Sequence, residues 1–385
     1  MNRRQLLQLM STAALLPVMP FRLSQATGYR DRRVILLELA GANDGLNTVV
    51  PYSDERYYEL RPTLGLKTDN LITLDSQFAL HHALQPVMPL WESGEFAIVH
   101  GLGYPSPNRS HFKSIALWET GGDGNRAARN GWSTHDIEHA YASSELDAHG
   151  IVLGGDMGVF SNAEGNWLSM SSVDQFSNLK TPATEIAASD NPAMAMLLES
   201  AQVLQTSLTR ISEKIKNNRK RVRVPGGAFS QQMSHAINII NSEVDVPVIK
   251  LSLGGFDTHE GQLYRQHGLL KQAAVAIAAL RKELQKTGHW DNTVIVTYSE
   301  FGRRAGENKS AGTDHGTAAA HIIAGGQVRG GLYGEAPDLG ILHDGDLLYT
   351  MDYRAVYSRL LTDWLQLPTD RFNEYSDLRL DGLLL

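Results

Sequence analysis

Val34-Ile35-Leu36-Leu37-Glu38-Leu39 is an apolar run rich in strand-forming residues, and the loop Ala40-Gly41-Ala42-Asn43-Asp44-Gly45 follows it directly. Such a run predicts a buried strand, and polar residues placed directly after it are typical of ligand sites at the carboxyl ends of strands in α/β sheets. The same order recurs where residues 246–253 precede Gly254-Gly255-Phe256-Asp257-Thr258-His259. It recurs again where residues 293–298 precede Ser299-Glu300-Phe301-Gly302 and then Thr313-Asp314-His315-Gly316. Three such loops predict one metal site at one edge of one sheet.

The rest of the chain alternates strand-like and helix-like patterns. Further strand-like runs cover residues 95–100, 151–153 and 321–324, and helical spacing of apolar residues covers 194–215, 231–240, 261–286 and 353–367. This alternation predicts an α/β fold with a mostly parallel central sheet flanked by helices. Residues 120–190 are rich in Gly, Ser and Asn and predict a loop-rich insertion over the site.

The N-terminus has the features of an export signal. Arg3-Arg4 precedes a mildly apolar stretch, and Ser24-Gln25-Ala26 offers a small-x-small cleavage site. We therefore expect residues 1–26 to be a twin-arginine signal peptide, recognised by the twin-arginine translocase, and residues 27–385 to form one periplasmic domain. No later segment has the roughly 18 continuous apolar residues of a transmembrane helix, so we expect no membrane span in the mature chain.

Charge and cysteine content exclude several classes of function. The formal net charge of −7 gives no overall attraction to nucleic acid, and we expect no nucleic-acid partner. The absence of cysteine excludes disulfides, thiolate metal ligands and a cysteine nucleophile. One dense basic cluster spans residues 214–223, where a solvated helix end and a contact with an anionic envelope polymer are both open interpretations.

Asp, Glu and His residues in these loops are candidate metal ligands. Oxygen and imidazole ligands suit zinc first, with manganese, magnesium or calcium as alternatives. The repeated strand-Gly-Asp-x-His context singles out Asp257, His259 and His315. The alternative is that these residues are turn-forming aspartates and buried, hydrogen-bonded histidines.

The segment Tyr104-Pro105-Ser106-Pro107-Asn108-Arg109-Ser110-His111 places a hydroxyl between a guanidinium and an imidazole. A base or a metal can activate Ser110 as a nucleophile, and Arg109 can bind the oxygens of a phosphoryl or sulfuryl group. Alternatively, Ser110 only caps a helix that begins at His111. The two interpretations are compatible, because an anion is favoured at a helix N-terminus.

Seven short motifs distributed along the chain carry a family resemblance. They are Ala42-Asn43-Asp44-Gly45-Leu46-Asn47-Thr48, Gly103-Tyr104-Pro105, Pro107-Asn108-Arg109-Ser110-His111-Phe112, Gly254-Gly255-Phe256-Asp257-Thr258-His259, Ser299-Glu300-Phe301-Gly302-Arg303, Thr313-Asp314-His315-Gly316-Thr317 and Asp352-Tyr353-Arg354. With them the chain resembles the exported family known as domain of unknown function 1501, within the alkaline phosphatase and sulfatase superfamily.

The resemblance implies an alkaline-phosphatase-like fold and a metal-dependent hydrolase or transferase acting on a phosphate or sulfate ester, either a small molecule or a polymer. Carried over, Ser110 attacks, Arg109 holds the substrate oxygens, Asp44 and Glu300 hold one ion, and Asp257, His259 and His315 hold a second. Asp314 with His315 is an alternative pair for the position where the superfamily has Asp-His and this chain has Glu300-Phe301. Because Phe301 cannot ligate, the other hypothesis is a non-catalytic envelope protein for binding or assembly. A formylglycine sulfatase is disfavoured by the lack of cysteine and by the spacing around Ser106.

Overall fold

The computed structural model describes residues 31–123, 126–141, 146–171, 191–218 and 220–385. The expected signal peptide, residues 1–26, lies outside the described residues, as do residues 172–190 of the expected insertion. The strands, in chain order, are β1 (Arg33–Ala40), β2 (Val49–Val50), β3 (Leu71–Thr73), β4 (Ala79–His81), β5 (Phe96–Gly103), β6 (Gly150–Val152), β7 (Trp167–Ser169), β8 (Val248–Gly254), β9 (Thr293–Tyr298), β10 (Ala319–Gly325), β11 (Gly331–Tyr333), β12 (Leu342–His343), β13 (Asp346–Leu347) and β14 (Met351–Asp352). The helices are α1 (Glu55–Leu60), α2 (Met88–Glu92), α3 (His111–Thr120), α4 (Thr134–Tyr141), α5 (Pro192–Asn217), α6 (Ala228–Asn241), α7 (Gln262–Thr287) and α8 (Arg354–Arg359).

Nine strands form the central sheet, in the order β11-β5-β10-β9-β1-β8-β6-β7 with β14 beside β5. All neighbouring pairs are parallel except those of β10, which runs antiparallel to both β5 and β9. The predicted fold class is therefore confirmed, and all six predicted strand runs lie in this sheet. The region of the expected insertion contributes β6 and β7 to one edge of the sheet.

Both faces of the sheet are covered, which explains why β1 reads as a continuous apolar run. Ile35, Leu37 and Leu39 point into one core, which α6 and α7 cover. Val34 and Leu36 point into the opposite core, to which α3, α4 and α8 contribute. The last predicted helix, residues 353–367, is α8 continued by a π-helical turn at Leu360–Trp364. No helix of the described residues is long and apolar enough to cross a membrane.

The parallel register brings the predicted loops together. Ala40 at the end of β1 pairs with Gly254 at the end of β8, and Glu38 pairs with Tyr298 at the end of β9. The loop at Gly41 has φ +108°, and a Cβ there would lie 2.4 Å from the backbone nitrogen of Asp257, so the close approach of these two loops requires glycine. The three loops therefore leave the sheet side by side at one edge, as the strand order requires.

Candidate metal centre

Four side chains from three chain segments converge at this edge. The Nε2 atom of His315 lies 3.1 Å from Nε2 of His111, 3.0 Å from Nε2 of His259 and 3.3 Å from Oδ1 of Asp257. Asp257 Oδ1 also lies 3.0 Å from Nε2 of His259, and its Oδ2 lies 3.7 Å from Nε2 of His111. The ligand atoms of His111, Asp257 and His315 all lie within 4.8 Å of one another.

The outward-facing nitrogen of each histidine meets an acceptor. Nδ1 of His111 lies 2.7 Å from Oε1 of Glu300, and Nδ1 of His259 lies 3.2 Å from Oδ1 of Asp314. Nδ1 of His315 lies 2.9 Å from the backbone carbonyl oxygen of Arg109. Carbonyl and carboxylate oxygens only accept, so each Nδ1 must carry the proton and each Nε2 of a neutral ring presents a lone pair to the centre. Lone pairs about 3 Å apart repel unless protons or a cation lie between them.

The surrounding groups shift the pKa values of the cluster. The hydrogen bond to Glu300 raises the pKa of His111. Burial lowers the pKa of His315, and the nearby guanidinium of Arg303 acts in the same direction. Burial tends to raise the pKa of Asp257, but the hydrogen bond from Arg303, at 2.7 Å, outweighs it and the pKa is lowered. The carboxylate of Asp257 therefore stays ionised and His315 stays neutral. Both groups are then in the protonation state that binds a metal cation.

Phe301, at the position where the resemblance implies a metal ligand, has a packing role. Its ring is buried, with its centroid 5.0 Å from that of His111 and 4.8 Å from that of His315. It therefore forms an apolar wall that holds two imidazoles in place. Such a wall also keeps water away from one side of the cluster.

Glu300 and Asp314 lie behind the histidines and not at the centre. Besides His111, Glu300 accepts a hydrogen bond of 2.9 Å from the backbone N–H of Gly41 and one of 3.0 Å from the hydroxyl of Ser299. Burial tends to raise the pKa of Glu300, but the hydrogen bonds, with His111 foremost and with backbone N–H groups including that of Gly41, lower it. The structure thus differs from the expectation that Glu300 and Asp314 ligate directly, because a histidine stands between each carboxylate and the centre.

Asp44 is engaged by an arginine and not by the cluster. Its two carboxylate oxygens accept hydrogen bonds of 2.6 and 3.0 Å from the guanidinium of Arg61, and both side chains are almost completely buried. Gln262 and the backbone N–H groups of Leu46 and Asn47 also donate to Asp44. The expected pairing of Asp44 with Glu300 around an ion near Ser110 stays a prediction; in the structure both carboxylate oxygens of Asp44 accept hydrogen bonds from Arg61.

Ser110 and Arg109 lie next to the cluster. Ser110 immediately precedes α3, as expected, but its side chain makes no capping hydrogen bond. Both of its neighbours in the chain contact His315, Arg109 through its backbone carbonyl oxygen and His111 through its ring. The Arg109 guanidinium pairs with the buried carboxylate of Asp346, which lies 3.8 Å from Arg304.

Sequence reasoning missed His111 as a member of the cluster and Arg61 as the partner of Asp44. In the sequence, His111 stands in a motif and is predicted only to begin a helix. The available signal was its position, since the helix begins directly beside a candidate nucleophile. Arg61 lies in no recognisable motif. It is 17 positions from Asp44 in sequence, and only folding brings the two side chains into contact.

Comparison with solved structures finds similar chains of low sequence identity. The structure of Ps i-CgsB is 12% identical with a TM-score of 0.43, over 91% of this chain and 75% of that one. The lipoteichoic acid synthase LtaP from Listeria monocytogenes is 11% identical with a TM-score of 0.39, over 91% of this chain and 76% of that one. A TAB5 alkaline phosphatase mutant with Mg bound is 9% identical with a TM-score of 0.36, over 78% and 94%.

Among curated proteins, no sequence matches the chain. The family model described as "Protein of unknown function (DUF1501)" matches residues 97–361, which include most of the motifs quoted above. The chain therefore belongs to this family.

Proposed function

We propose that the protein is a metal-dependent hydrolase of a phosphate or sulfate ester, with one divalent ion held by His111, His315 and Asp257 and with His259 beside them. The observation that supports this most directly is the convergence of three Nε2 atoms, each on a ring whose Nδ1 faces an acceptor. Metal-ligating histidines have this arrangement, in which a second contact fixes the tautomer and the orientation of the ring.

The distances fit a small ion. Ligand atoms at about 2.0–2.1 Å from a tetrahedral zinc lie about 3.3 Å apart. The separations of 3.1 Å from His315 to His111 and 3.3 Å from His315 to Asp257 are close to this value, and that of 3.7 Å between His111 and Asp257 is slightly longer. A set rich in imidazole favours zinc over magnesium or calcium, which prefer all-oxygen sites.

The residues beside the cluster suit attack on an anionic ester. When bound, the ion would supply Lewis-acid polarisation of the ester oxygen. Ser110 offers a hydroxyl with no capping bond at the N-terminus of a ten-residue helix, where negative charge is favoured. Arg109 is 39% exposed, and its remaining N–H donors can bind the non-bridging oxygens of the substrate.

The proposal includes export to the periplasm by the twin-arginine translocase. It rests on Arg3-Arg4, the apolar stretch and the small residues before position 27. The substrate is a small molecule or a polymer of that compartment that carries a phosphate or sulfate ester.

A non-catalytic metal-binding protein of the cell envelope is the second candidate. The observation that favours it is the pairing of Asp44 with Arg61, which donates to both carboxylate oxygens. A second metal ion would need one of these oxygens as a ligand. A single-ion site with Phe301 at its side can bind and assemble as well as catalyse.

Elemental analysis of purified protein tests the metal centre. We expect about one divalent ion per chain, lost in His315→Ala and retained in His82→Ala, a matched control at an exposed histidine. Glu300→Gln and Asp314→Asn should weaken the ion by about 10- to 100-fold, because they remove the contacts that orient His111 and His259. Equal metal content in all of these variants would contradict the centre as drawn.

A panel of phosphate and sulfate esters then separates the two candidates. Turnover that depends on the added ion and disappears in His315→Ala supports the hydrolase. Bound metal without turnover of any ester in the panel supports the binding protein instead.

A further inference from the structure

A cavity of about 490 Å³ lies near the candidate metal centre, outside the residues assigned to it. Gly45 and Leu46, which follow Asp44, form one side of it, and Ala318 to Ala320, shortly after His315, form another. None of the four cluster residues lines it. Its volume falls within the range of roughly 300–1,000 Å³ that is typical of small-molecule sites.

The cavity is lined by an excess of carboxylates. Asp54, Asp75, Glu335 and Asp338 stand against a single cation, Arg56. Arg56 is already paired, at 2.9 Å from Asp54 and 2.9 Å from Asp338. Within the described part of the chain, neither Asp75 nor Glu335 forms an ion pair.

Two observations show that the lining carries negative charge. Asp75 Oδ1 accepts hydrogen bonds of 2.8 and 2.7 Å from the backbone N–H groups of Gln77 and Phe78, which hold the carboxylate at the cavity. Burial lowers the pKa of the lining residue His100 to about 4, so this imidazole is neutral at pH 7 and adds no positive charge. The net charge of the lining is therefore strongly negative.

The remaining wall is apolar and holds an unpaired polar atom. His100 is only 5% exposed, and its Nε2 has no hydrogen-bond partner among the described residues. The ring of Phe78 packs against it with centroids 4.8 Å apart. Val49, Leu332 and Leu339 complete the lining with aliphatic surface. Nε2 is itself closed off from the open cavity, so this wall offers ring and aliphatic surface to a ligand and adds no free polar atom.

We propose that this cavity binds a small ligand that carries a protonated amine on a compact apolar body. The carboxylates attract a cation and repel the phosphate or sulfate group expected at the metal centre. The aliphatic wall and Phe78 accommodate the apolar body, and an aromatic face adds attraction for an ammonium group. Because Ala318 to Ala320 line the cavity, the ligand would also contact the segment that follows His315 of the metal centre.

Calorimetric titration with three matched probes tests the site. Benzylamine, benzyl alcohol and benzoate share one ring and differ in charge. We expect benzylamine to bind at least about tenfold more tightly than the other two, because four carboxylate residues and one arginine line the cavity. The double variant Asp75→Asn with Glu335→Gln should weaken benzylamine by at least about tenfold.

The control makes the same change of charge elsewhere. Asp69→Asn with Glu283→Gln removes two surface carboxylates that do not line the cavity, and it should leave benzylamine binding unchanged. The proposal is overturned if benzylamine does not bind, if benzoate binds equally well, or if the control weakens binding as much as the cavity variant. The titration requires no turnover, so its result is independent of the proposed ester hydrolysis.

Discussion

Replacing Asp44 by asparagine should destabilise the protein by about 3–5 kcal/mol, even in the absence of metal, because it leaves a buried guanidinium without its counter-ion. The side chain of Arg61 is 0% exposed and that of Asp44 is 1% exposed, so water cannot compensate the lost charge. Arg61 also donates to the side chain of Asn47 at 2.6 Å and to the carbonyls of Arg304 and Ala305 at 3.0 and 2.8 Å. These contacts keep the guanidinium in place, where it cannot move to solvent.

Thermal unfolding in the presence of a chelator measures this cost. For a chain of 385 residues, 1 kcal/mol corresponds to about 1.2 °C in Tm, so the expected decrease is about 4–6 °C. The chelator matters because it separates a structural role of Asp44 from a role as metal ligand. If Asp44 were a metal ligand, its replacement would lower the metal content of the protein and leave the Tm of the metal-free protein almost unchanged.

Glu283→Gln provides the matched control. Glu283 pairs with Lys286 at 2.6 Å, but the two side chains are 23% and 55% exposed, so breaking this pair should cost at most about 1 kcal/mol. A metal-free Asp44→Asn protein that melts within about 1 °C of the control, and that has lost its metal in the holo form, would refute the structural role assigned to Asp44.

Three further predictions concern the nucleophile, pH and export. Ser110→Ala should abolish ester turnover yet change the free energy of unfolding by less than about 0.5 kcal/mol, because Ser110 makes no capping bond; a larger loss of stability with intact turnover would show a cap instead. Burial lowers the pKa of His321 to about 4, against about 6.5 when unfolded, so its contribution to stability is present above about pH 6.5 and is lost as the pH falls toward 4, by up to about 1.4 kcal/mol per pH unit. Urea unfolding at several pH values should therefore show a shallower pH dependence in His321→Gln than in the parent, and identical slopes would contradict this. Replacing Arg3 and Arg4 by lysine should retain the protein in the cytoplasm on fractionation, whereas unchanged periplasmic protein would exclude the twin-arginine route.

Local sequence determined the elements of the fold. The run at residues 293–298 became β9 with the same bounds, and the helical pattern at residues 261–286 became α7 at Gln262–Thr287. Such patterns are readable because apolar spacing depends only on near neighbours in the chain. The strand order then places the loops after β1, β8 and β9 at one edge, which is why Asp257, His259 and His315 could be grouped in advance.

Only the tertiary structure decided which side chain meets which. Glu300 reads as a ligand in sequence, but the folded chain interposes His111, 189 positions away, between it and the centre. Asp44 is also predicted from sequence to be a ligand. In the folded chain, Arg61, which directly follows α1, donates hydrogen bonds to the carboxylate of Asp44. The physical reason is that a carboxylate is satisfied equally well by a metal, an imidazole or a guanidinium, and which of these arrives depends on long-range packing that local periodicity does not encode.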